Sequence, residues 1–392
     1  MPNPSEVATI EVNGVQFDDW ESVWVQHRWT EGYPIFRFTC AERDPLPQFW
    51  EKRQFEPGSM VRIYLGGLLA VVGMILVRQV AYDGRTHGVM LQGVGRTWCA
   101  QRASILGKNN FDGMSFEQVA RSVLAPTGVK LVPVGKLNPL PFVRLQNEPG
   151  ETIWNFLERI ARPRGIVLGS DHEGNMLAID YHKGEVVREL IEGQNILRCQ
   201  CTKSVKDKYS YYWVRGQTAA NNQQHGRKAS EQEAKAPGSL QCYSPLLTPA
   251  EQPVWNEMEV AQRAYNEALW HESTDIEANI TVQGWLTADA GLWLAGQDIY
   301  VWSPMAMLDM VMKVETATFT QDRSSGTLTT LHLVPPWRLK DQSDLNVGRP
   351  GVPQPPGPAT STMNQPPVSP KPAEPPDPAP PTLPDPGGIP QM

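Results

Sequence analysis

The chain has 392 residues, of which 40% are hydrophobic and 20% are charged, so it is long enough for two or three domains with buried cores. Its net charge of −7 gives the chain as a whole no electrostatic attraction to DNA or anionic lipid, and we expect no stable nucleic-acid binding. The five cysteines include no C-x-x-C pair, so neither a zinc site nor a disulfide framework is indicated.

The N-terminal segment and the longest apolar run both argue against a membrane protein. In Met1–Ile10 no basic start precedes an apolar stretch, so we predict no signal peptide. The run Ile63–Val77 is shorter than the roughly 20 residues that a bilayer requires, and it contains several glycines. We interpret it as two strands joined by a turn at Gly66-Gly67, and we expect no membrane insertion.

Residues 1–99 are predicted to form a first β domain. Asn13-Gly14 is a strong hairpin signal, because both residues tolerate positive φ. Ser22–Trp29 and Ile35–Thr39 then alternate apolar and polar residues, as half-buried strands do. Since this pattern continues to about residue 98, we expect one antiparallel sheet or barrel.

Residues 100–188 are predicted to form a small α/β domain. Ser115 is a candidate N-cap for a helix that ends before Pro126, and a second helix begins near Thr152. Two short strands then flank the turn Asp171–Asn175. This composition separates the segment from the strands on either side.

Residues 189–340 are predicted to form a second β domain with an inserted loop and helix at 217–272. Cys199 and Cys201 lie two apart in a predicted strand, so both face one side, and we interpret them as small buried apolar residues. The insertion begins with a polar loop, Gln217–Ser239, and includes the helix Asn256–Glu272. Four further strands are predicted at 276–285, 298–302, 310–321 and 326–334.

The last segment, 341–392, is predicted to be a disordered tail. Seventeen of the 43 residues from Pro350 to Met392 are proline. Proline donates no backbone hydrogen bond and fixes φ, so such a segment cannot join a sheet or build a core.

A search for catalytic, cofactor or metal sites finds none, and we predict no cofactor and no enzymatic activity. Gly93-Val94-Gly95 lacks the lysine and the spacing of a phosphate-binding loop, and Asp171–Asn175 lacks the closing glutamate of a calcium loop. No two histidines have the spacing of a helical metal motif, and no G-x-S-x-G occurs.

Two groups of residues remain as weak candidates for contact with cell wall. Glu148, Glu151 and Asp171 are carboxylates that a glycosidase could use, but the two glutamates are better explained as charges near the start of a helix. Tryptophans could stack on sugars, yet several occur among apolar neighbours in strands, which favours core or subunit contacts. These are Trp24, Trp213, Trp285 and Trp302.

Two segments resemble the baseplate hub proteins of Mu-like contractile-tailed phages, the late-control or tail-hub family. The first is Glu148–Ala161 followed by Gly165 and Asp171–Asn175, which is similar to a G-E-T-x-W-x-x-L-x-x-x-A…G…D-x-x-G pattern. The second is similar to the second barrel of the hub in the order of its elements. It comprises Val282–Trp285, Gly291–Trp293, Gly296–Val301, Val311–Phe319 and Gly326–Leu333.

The resemblance implies two tail-tube-like β-barrel domains per chain, with the small α/β domain between them. It implies a homotrimeric structural protein of the virion baseplate, assembled in the host cytoplasm, whose six barrels match the six-fold tail tube while a three-fold central spike docks on the other side. The implied partners are the tail tube protein, the spike and other baseplate proteins.

Two other functions stay open on the sequence alone. A LysM-like, peptidoglycan-binding unit shares the helix and short strands of residues 148–180, which keeps a cell-wall-binding or wall-degrading tail component as the main alternative. An unrelated secreted β protein with a proline-rich linker is the third, and the missing signal peptide counts against it.

Overall fold

A computed structural model describes residues 6–30, 32–41, 55–83, 87–107, 110–180, 186–216, 232–249 and 257–336. The predicted tail 341–392 and the first part of the predicted loop, 217–231, lie outside these ranges. So do Gly84, which belongs to a turn predicted at Asp83-Gly84, and the whole segment 42–54 between two strands.

The N-terminal part forms seven antiparallel strands in the spatial order β3-β4-β7-β6-β5-β1-β2. They are β1 (Ala8–Val12), β2 (Val15–Phe17), β3 (Ser22–Arg28), β4 (Ile35–Ala41), β5 (Met60–Leu65), β6 (Leu68–Tyr82) and β7 (His87–Gly95). The two turns predicted from glycine are confirmed. Asn13 and Gly14 lie at φ 52° and 80°, and Gly66 and Gly67 at φ 57° and 80°.

The α/β segment follows the last of these strands. Its elements are α1 (Trp98–Arg102), α2 (Phe116–Leu124), β8 (Leu131–Val134), α3 (Ile153–Ala161), β9 (Val167–Ser170) and β10 (Met176–Ile179). The predicted N-cap is confirmed, since Ser115 accepts a hydrogen bond from Gln118 N in a capping box. The helix start predicted near Thr152 is confirmed as well, and Thr152 caps it by accepting a hydrogen bond from Asn155 N. One face of each helix packs on the small sheet β8-β10-β9.

The C-terminal part contains nine strands and one long helix. The strands are β11 (Val186–Ile191), β12 (Arg198–Lys203), β13 (Tyr211–Gly216), β14 (Gln232–Pro237), β15 (Pro245–Pro249), β16 (Ile276–Gln283), β17 (Asp298–Ser303), β18 (Leu308–Asp322) and β19 (Gly326–Val334). The helix is α4 (Glu257–Glu272). Six strands pair in the order β12-β16-β19-β18-β17-β11, all antiparallel except β11 with β17.

The insertion between β12 and β16 is more structured than predicted. The expected loop Gln217–Ser239 contains β14, which pairs with β13, and β15 pairs with β13 on its other side. The helix α4 packs on this three-stranded sheet through Val260, Ala264 and Ala268. β13 therefore belongs to the insertion and not, as predicted, to the sheet of the second β domain.

The mainly β architecture is confirmed, but the two predicted β blocks share one sheet. β3 pairs with β18 from Arg28–Thr316 to Val23–Gln321, which joins both parts into a sheet of 13 strands. Among the described residues, the strand pairings follow an open path and close no barrel. One hydrophobic core runs along this sheet, and the α/β segment and the insertion each have a separate cluster of buried residues.

Candidate assembly interface

The two ends of the large sheet repeat one arrangement of strands. β5, β6 and β7 contain 6, 15 and 9 residues, and β17, β18 and β19 contain 6, 15 and 9 residues in the same order. Next to each trio, β3 adds to β4 and β4 to β7, as β12 adds to β16 and β16 to β19. We call β3-β4-β7-β6-β5 the N-terminal half-sheet and β12-β16-β19-β18-β17 the C-terminal half-sheet.

A β-bulge in each long strand aligns the half-sheets residue by residue. The register shifts between Ile75 and Val77 in β6, and between Val314 and Thr316 in β18. Each shift lies on the side that faces the last strand of the trio. A bulge bends its strand and increases the local twist, so both half-sheets curve at the same place.

The hydrogen bonds at the two bulges are also the same. Gly58 N donates to Ile75 O at 2.8 Å, and Gly296 N donates to Val314 O at 2.7 Å. Both glycines lie at positive φ, 95° and 89°, where a side chain would be strained. The residue after each glycine accepts a hydrogen bond from the same bulge residue, at 3.0 and 2.9 Å. The equivalence of Ile75 and Val314 therefore rests on backbone geometry alone.

The strand registers carry this equivalence across each half-sheet as a row of facing residues. The N-terminal row is Ile75, Gly93, Phe36 and Val25, and the C-terminal row is Val314, Leu333, Ala278 and Cys201. A Cβ on Gly93 would lie 2.2 Å from the ring of Phe36, so this position has no room for a side chain. In the N-terminal row the small Gly93 faces the large Phe36, and at the same two positions of the C-terminal row the large Leu333 faces the small Ala278.

The half-sheets are joined at the β3–β18 ladder. Val25 lies opposite Phe319, and both side chains are buried in the main core. Gln26 Nε2 donates to Thr318 Oγ1 at 3.1 Å across the same ladder. Trp29 N donates to Glu315 O at 2.8 Å just beyond it. This junction is an interface between two equivalent units within one chain.

A buried carboxylate makes a second connection between the half-sheets. Glu6 lies before β1, and its Oε1 accepts hydrogen bonds from Trp285 N at 2.9 Å and Leu286 N at 3.4 Å. Its backbone oxygen accepts one from Gln321 Nε2 at 3.0 Å. Trp285 is itself fully buried. These bonds hold the residue before β1, a strand that pairs with β5 of the N-terminal half-sheet, against the C-terminal half-sheet.

A buried histidine connects the junction to the α/β segment. His27 Nε2 lies 3.0 Å from Ser170 O at the end of β9. Burial lowers the pKa of His27 to about 4, outweighing the opposite effect of the Ser170 hydrogen bond. The imidazole ring of His27 is therefore neutral in the folded protein at neutral pH. A further bond joins Val72 N of β6 to His172 O at 3.1 Å, so the α/β segment contacts the N-terminal half-sheet at both β3 and β6.

Two of the three candidate carboxylates from the sequence, Glu151 and Asp171, have structural partners. Glu151 binds Arg159 through two hydrogen bonds of 2.8 Å. Burial alone would raise its pKa, but the bonds from Arg159 and from Glu148 N hold the pKa of Glu151 below its ordinary value. Asp171 accepts hydrogen bonds from Asn175 N and Nδ2 within the predicted turn between β9 and β10. Glu151 therefore stabilises the region at the start of α3, and Asp171 stabilises the hairpin between β9 and β10.

The tryptophans and cysteines singled out in the sequence divide between core and surface. Trp285 is in the core, whereas Trp302 is 40% exposed. Trp213 lies in the insertion, where Lys235 Nζ approaches its ring to 3.8 Å. Cys199 and Cys201 share a face as predicted, are half-buried, and pack against the main core. Burial raises the pKa of both thiols.

Within the described ranges, no three His, Cys, Asp or Glu side chains come together as a metal site. The same ranges contain no helix with the length and apolar character needed to cross a membrane. The main features of the described residues are the repeated half-sheets and their junction. Sequence reasoning missed the junction, because pairing between β3 and β18 leaves no local signal.

Comparison with known proteins agrees with this geometry. Residues 101–179 match the family model described as "Baseplate hub protein gp44-like, second domain". The chain is 22% identical over 344 residues to baseplate hub protein gp44 of Escherichia phage Mu, covering 84% of this chain and 88% of that protein.

Two crystal structures of tail proteins share the fold. The 43 kDa tail protein of prophage MuSo2 from Shewanella oneidensis has a TM-score of 0.74 and 24% identity, covering 85% of this chain and 99% of that one. The tail protein from Neisseria meningitidis MC58 has a TM-score of 0.71 and 20% identity, covering 85% and 98%. With the matched α/β segment and the two half-sheets, these similarities make the chain similar in sequence and fold to the gp44-like baseplate hub and tail proteins of Mu-like phages and prophages, the family that the sequence resemblance indicated.

Proposed function

We propose that this chain is the structural hub of a contractile phage-tail baseplate, and that three copies join the six-fold tail tube to a three-fold central spike. The observation that carries the proposal is the presence of two equivalent half-sheets in one chain. Three chains then present six equivalent units on one face. The α/β segment and the insertion occur only once per chain, so other faces keep three-fold symmetry.

The half-sheets correspond in this proposal to the tail-tube-like β domains implied by the sequence resemblance. The domain boundaries follow: residues 1–99 and 189–340 supply the two tube-like units, 100–188 the α/β domain, and 341–392 the tail. The separate hydrophobic cluster of the α/β segment, which runs from Ala100 to Ala178, supports its start at 100. Its end lies before Val186, because β11 pairs with β17 in the large sheet from that residue onward. The tail tube protein, the spike and other baseplate proteins are the proposed partners in the virion.

The fold also gives a physical reason for self-association. An exposed strand edge presents unpaired N–H and C=O groups, and proteins normally cover such edges. Pairing between subunits in a closed ring covers every edge of this kind at once.

Light scattering after size exclusion tests the proposal directly. We expect a particle of about three times the 43.7 kDa mass of one chain, and a three-fold ring with a central hole in negative-stain images. A strictly monomeric protein at micromolar concentration contradicts the proposal. Incubation with purified peptidoglycan separates it from the wall-binding alternative, because a structural hub neither sediments with the polymer nor clears it.

A further inference from the structure

Each half-sheet has two edges that play different roles at the junction. The N-terminal half-sheet supplies the outer edge of β3, and the C-terminal half-sheet accepts it on the second half of β18, on the side away from β19. We call the first the donor edge and the second the acceptor edge. The equivalence of the half-sheets means that a second donor edge and a second acceptor edge exist.

The second donor edge is β12, which stands in the place of β3. It pairs with β16 on one side, and no strand among the described residues pairs with its other side. Its inward residues Cys199 and Cys201 correspond to Val23 and Val25 of β3, because Val23 faces Phe38 and Val25 faces Phe36 as the cysteines face Ile280 and Ala278. The cysteines are only half-buried where Val23 and Val25 are fully buried.

The second acceptor edge is the part of β6 beyond its bulge, Val77–Ala81, which stands in the place of Thr316–Thr320. It pairs with β7 on one side. The short strand β5 reaches only Met74, so on the other side no strand in the described ranges pairs with it. Val80 occupies the position of Phe319 but is 39% exposed, whereas Phe319 is 2% exposed. Val77 is 44% exposed on the same segment.

We propose that β12 of one chain pairs antiparallel with Val77–Ala81 of the next chain, reproducing between chains the ladder that β3 and β18 form within one chain. The proposal rests on the self-association proposed above and names its contact. The partner of each free edge is a second copy of this chain, because the β3–β18 ladder within the chain shows that a donor edge of this kind pairs with an acceptor edge of this kind. Donor and acceptor lie on opposite half-sheets, so the contact is head-to-tail, and such contacts form a closed ring when the rotation between neighbours is that of the proposed trimer.

The internal ladder also fixes the register between chains. Val25 faces Phe319, so Cys201 faces Val80. His27 faces Ala317, so Lys203 faces Arg78. The first pair adds apolar contact to the core of each neighbour, and the second sets two positive charges opposite each other at the end of the ladder, which weakens the contact.

A cysteine cross-link tests the pairing in the full-length chain. Directly opposite residues of an antiparallel pair bring their Cβ atoms to roughly 4.5–5.5 Å, close to what a disulfide spans. Val80→Cys in a Cys242→Ser background, which removes the exposed native thiol, should form an intermolecular disulfide with Cys201 under mild oxidation. Peptide mass spectrometry identifies the bond, and Cys201→Ser removes it. Ala81→Cys is the matched control, because its side chain faces the other side of the sheet.

The outcomes separate this inference from the proposed function. A trimer in which Val80→Cys links to Cys201 and Ala81→Cys does not supports both. A trimer without the Val80–Cys201 link, or with equal linking at Ala81, overturns the strand pairing while the hub assignment stands. A monomeric parent protein overturns the proposed function, and with it this contact.

Two charge variants give a second readout. Val80→Lys should lower the trimer fraction at least tenfold at a given concentration, whereas Val143→Lys, at a highly exposed site of the α/β segment, should leave it unchanged. Arg78→Glu should have the opposite effect, because it faces Lys203 with a negative charge and slows subunit dissociation. Circular dichroism confirms that each variant is folded. No change for Val80→Lys, or a loss of trimer for Arg78→Glu, contradicts the register.

Discussion

Asp298 and Lys313 face each other across β17 and β18 as a fully buried ion pair, with 2.5 Å between Nζ and Oδ1. The equivalent position of the N-terminal half-sheet holds Met60 opposite Met74. One backbone arrangement therefore accepts a charged pair in one half and an apolar pair in the other. Lys313 Nζ also donates to Gly296 O at 3.4 Å, next to the bulge.

Removing one partner of the ion pair should lower the free energy of unfolding strongly, whereas replacing both partners should lower it much less. Lys313→Met leaves a buried carboxylate without its counter-charge, and we expect the free energy of unfolding to fall by about 3–5 kcal/mol. The double variant Asp298→Met with Lys313→Met copies the methionine pair and should recover most of this loss. Urea unfolding at one fixed protein concentration measures both. Glu117→Gln, which breaks the exposed Arg121 pair, is the control and should cost under about 1 kcal/mol. A double variant less stable than Lys313→Met would contradict the comparison.

Removing the Glu6 carboxylate should loosen the two half-sheets. Glu6→Ala leaves the buried N–H of Trp285 without its acceptor, which costs about 1–3 kcal/mol. Hydrogen exchange followed by mass spectrometry should show faster exchange in the peptide that contains Trp285 and Leu286. Glu233→Ala, which removes an exposed pair with Arg215, serves as the control and should leave that peptide unchanged. Equal protection in Glu6→Ala and the parent protein would show that the carboxylate does not secure this connection.

The buried histidine predicts a loss of stability in mild acid. The unfolded chain protonates His27 near its ordinary pKa of 6.5, whereas the folded protein keeps the ring neutral until about pH 4. Stability from this residue is therefore complete above pH 6.5 and is lost as the pH falls toward 4, by about 3 kcal/mol. His27→Gln should be less sensitive, so its stability difference from the parent should shrink by that amount between pH 7 and pH 4. A difference that stays constant over this range argues against a neutral His27.

The proline-rich tail should be dispensable for the fold. A chain truncated after Lys340 lacks all 17 prolines of Pro350–Met392, none of which can donate a backbone hydrogen bond. We expect the same oligomer mass by light scattering and a melting temperature within a few degrees of the full-length protein. Loss of the oligomer, or melting many degrees lower, would place the tail inside the fold and move the predicted domain boundary.

Local signals in the sequence predicted local structure. The Asn13-Gly14 hairpin, the cap at Ser115, the helix start near Thr152 and the turn at Gly66-Gly67 each depend on a few neighbouring residues, and all four are confirmed. The hub family was predicted from the segment around Glu148–Ala161, where the family model also matches.

Three features could not be read from the sequence, for physical reasons. The single continuous sheet depends on Gln26 meeting Thr318, 292 residues away, and periodicity reports only which face is buried. The repeat is invisible because equivalent positions hold unlike residues, such as Gly93 and Leu333. β14 and β15 were missed because the alternating apolar residues of Gln232–Pro237 are only alanines, which are depleted in strands, and Pro245–Pro249 begins and ends with proline.

The insertion between β12 and β16 has a consequence for symmetry. In the N-terminal half-sheet the corresponding connection, from β3 to β4, spans only residues 29–34, whereas the insertion carries its own sheet and helix. A ring of six alternating half-sheets would thus bear a projecting module at every second position. In the proposed trimer, a neighbouring protein that contacts only the half-sheets would bind a six-fold surface, and one that contacts the insertions would bind a three-fold surface. The length of this one connection would therefore determine which symmetry a neighbouring protein has to match.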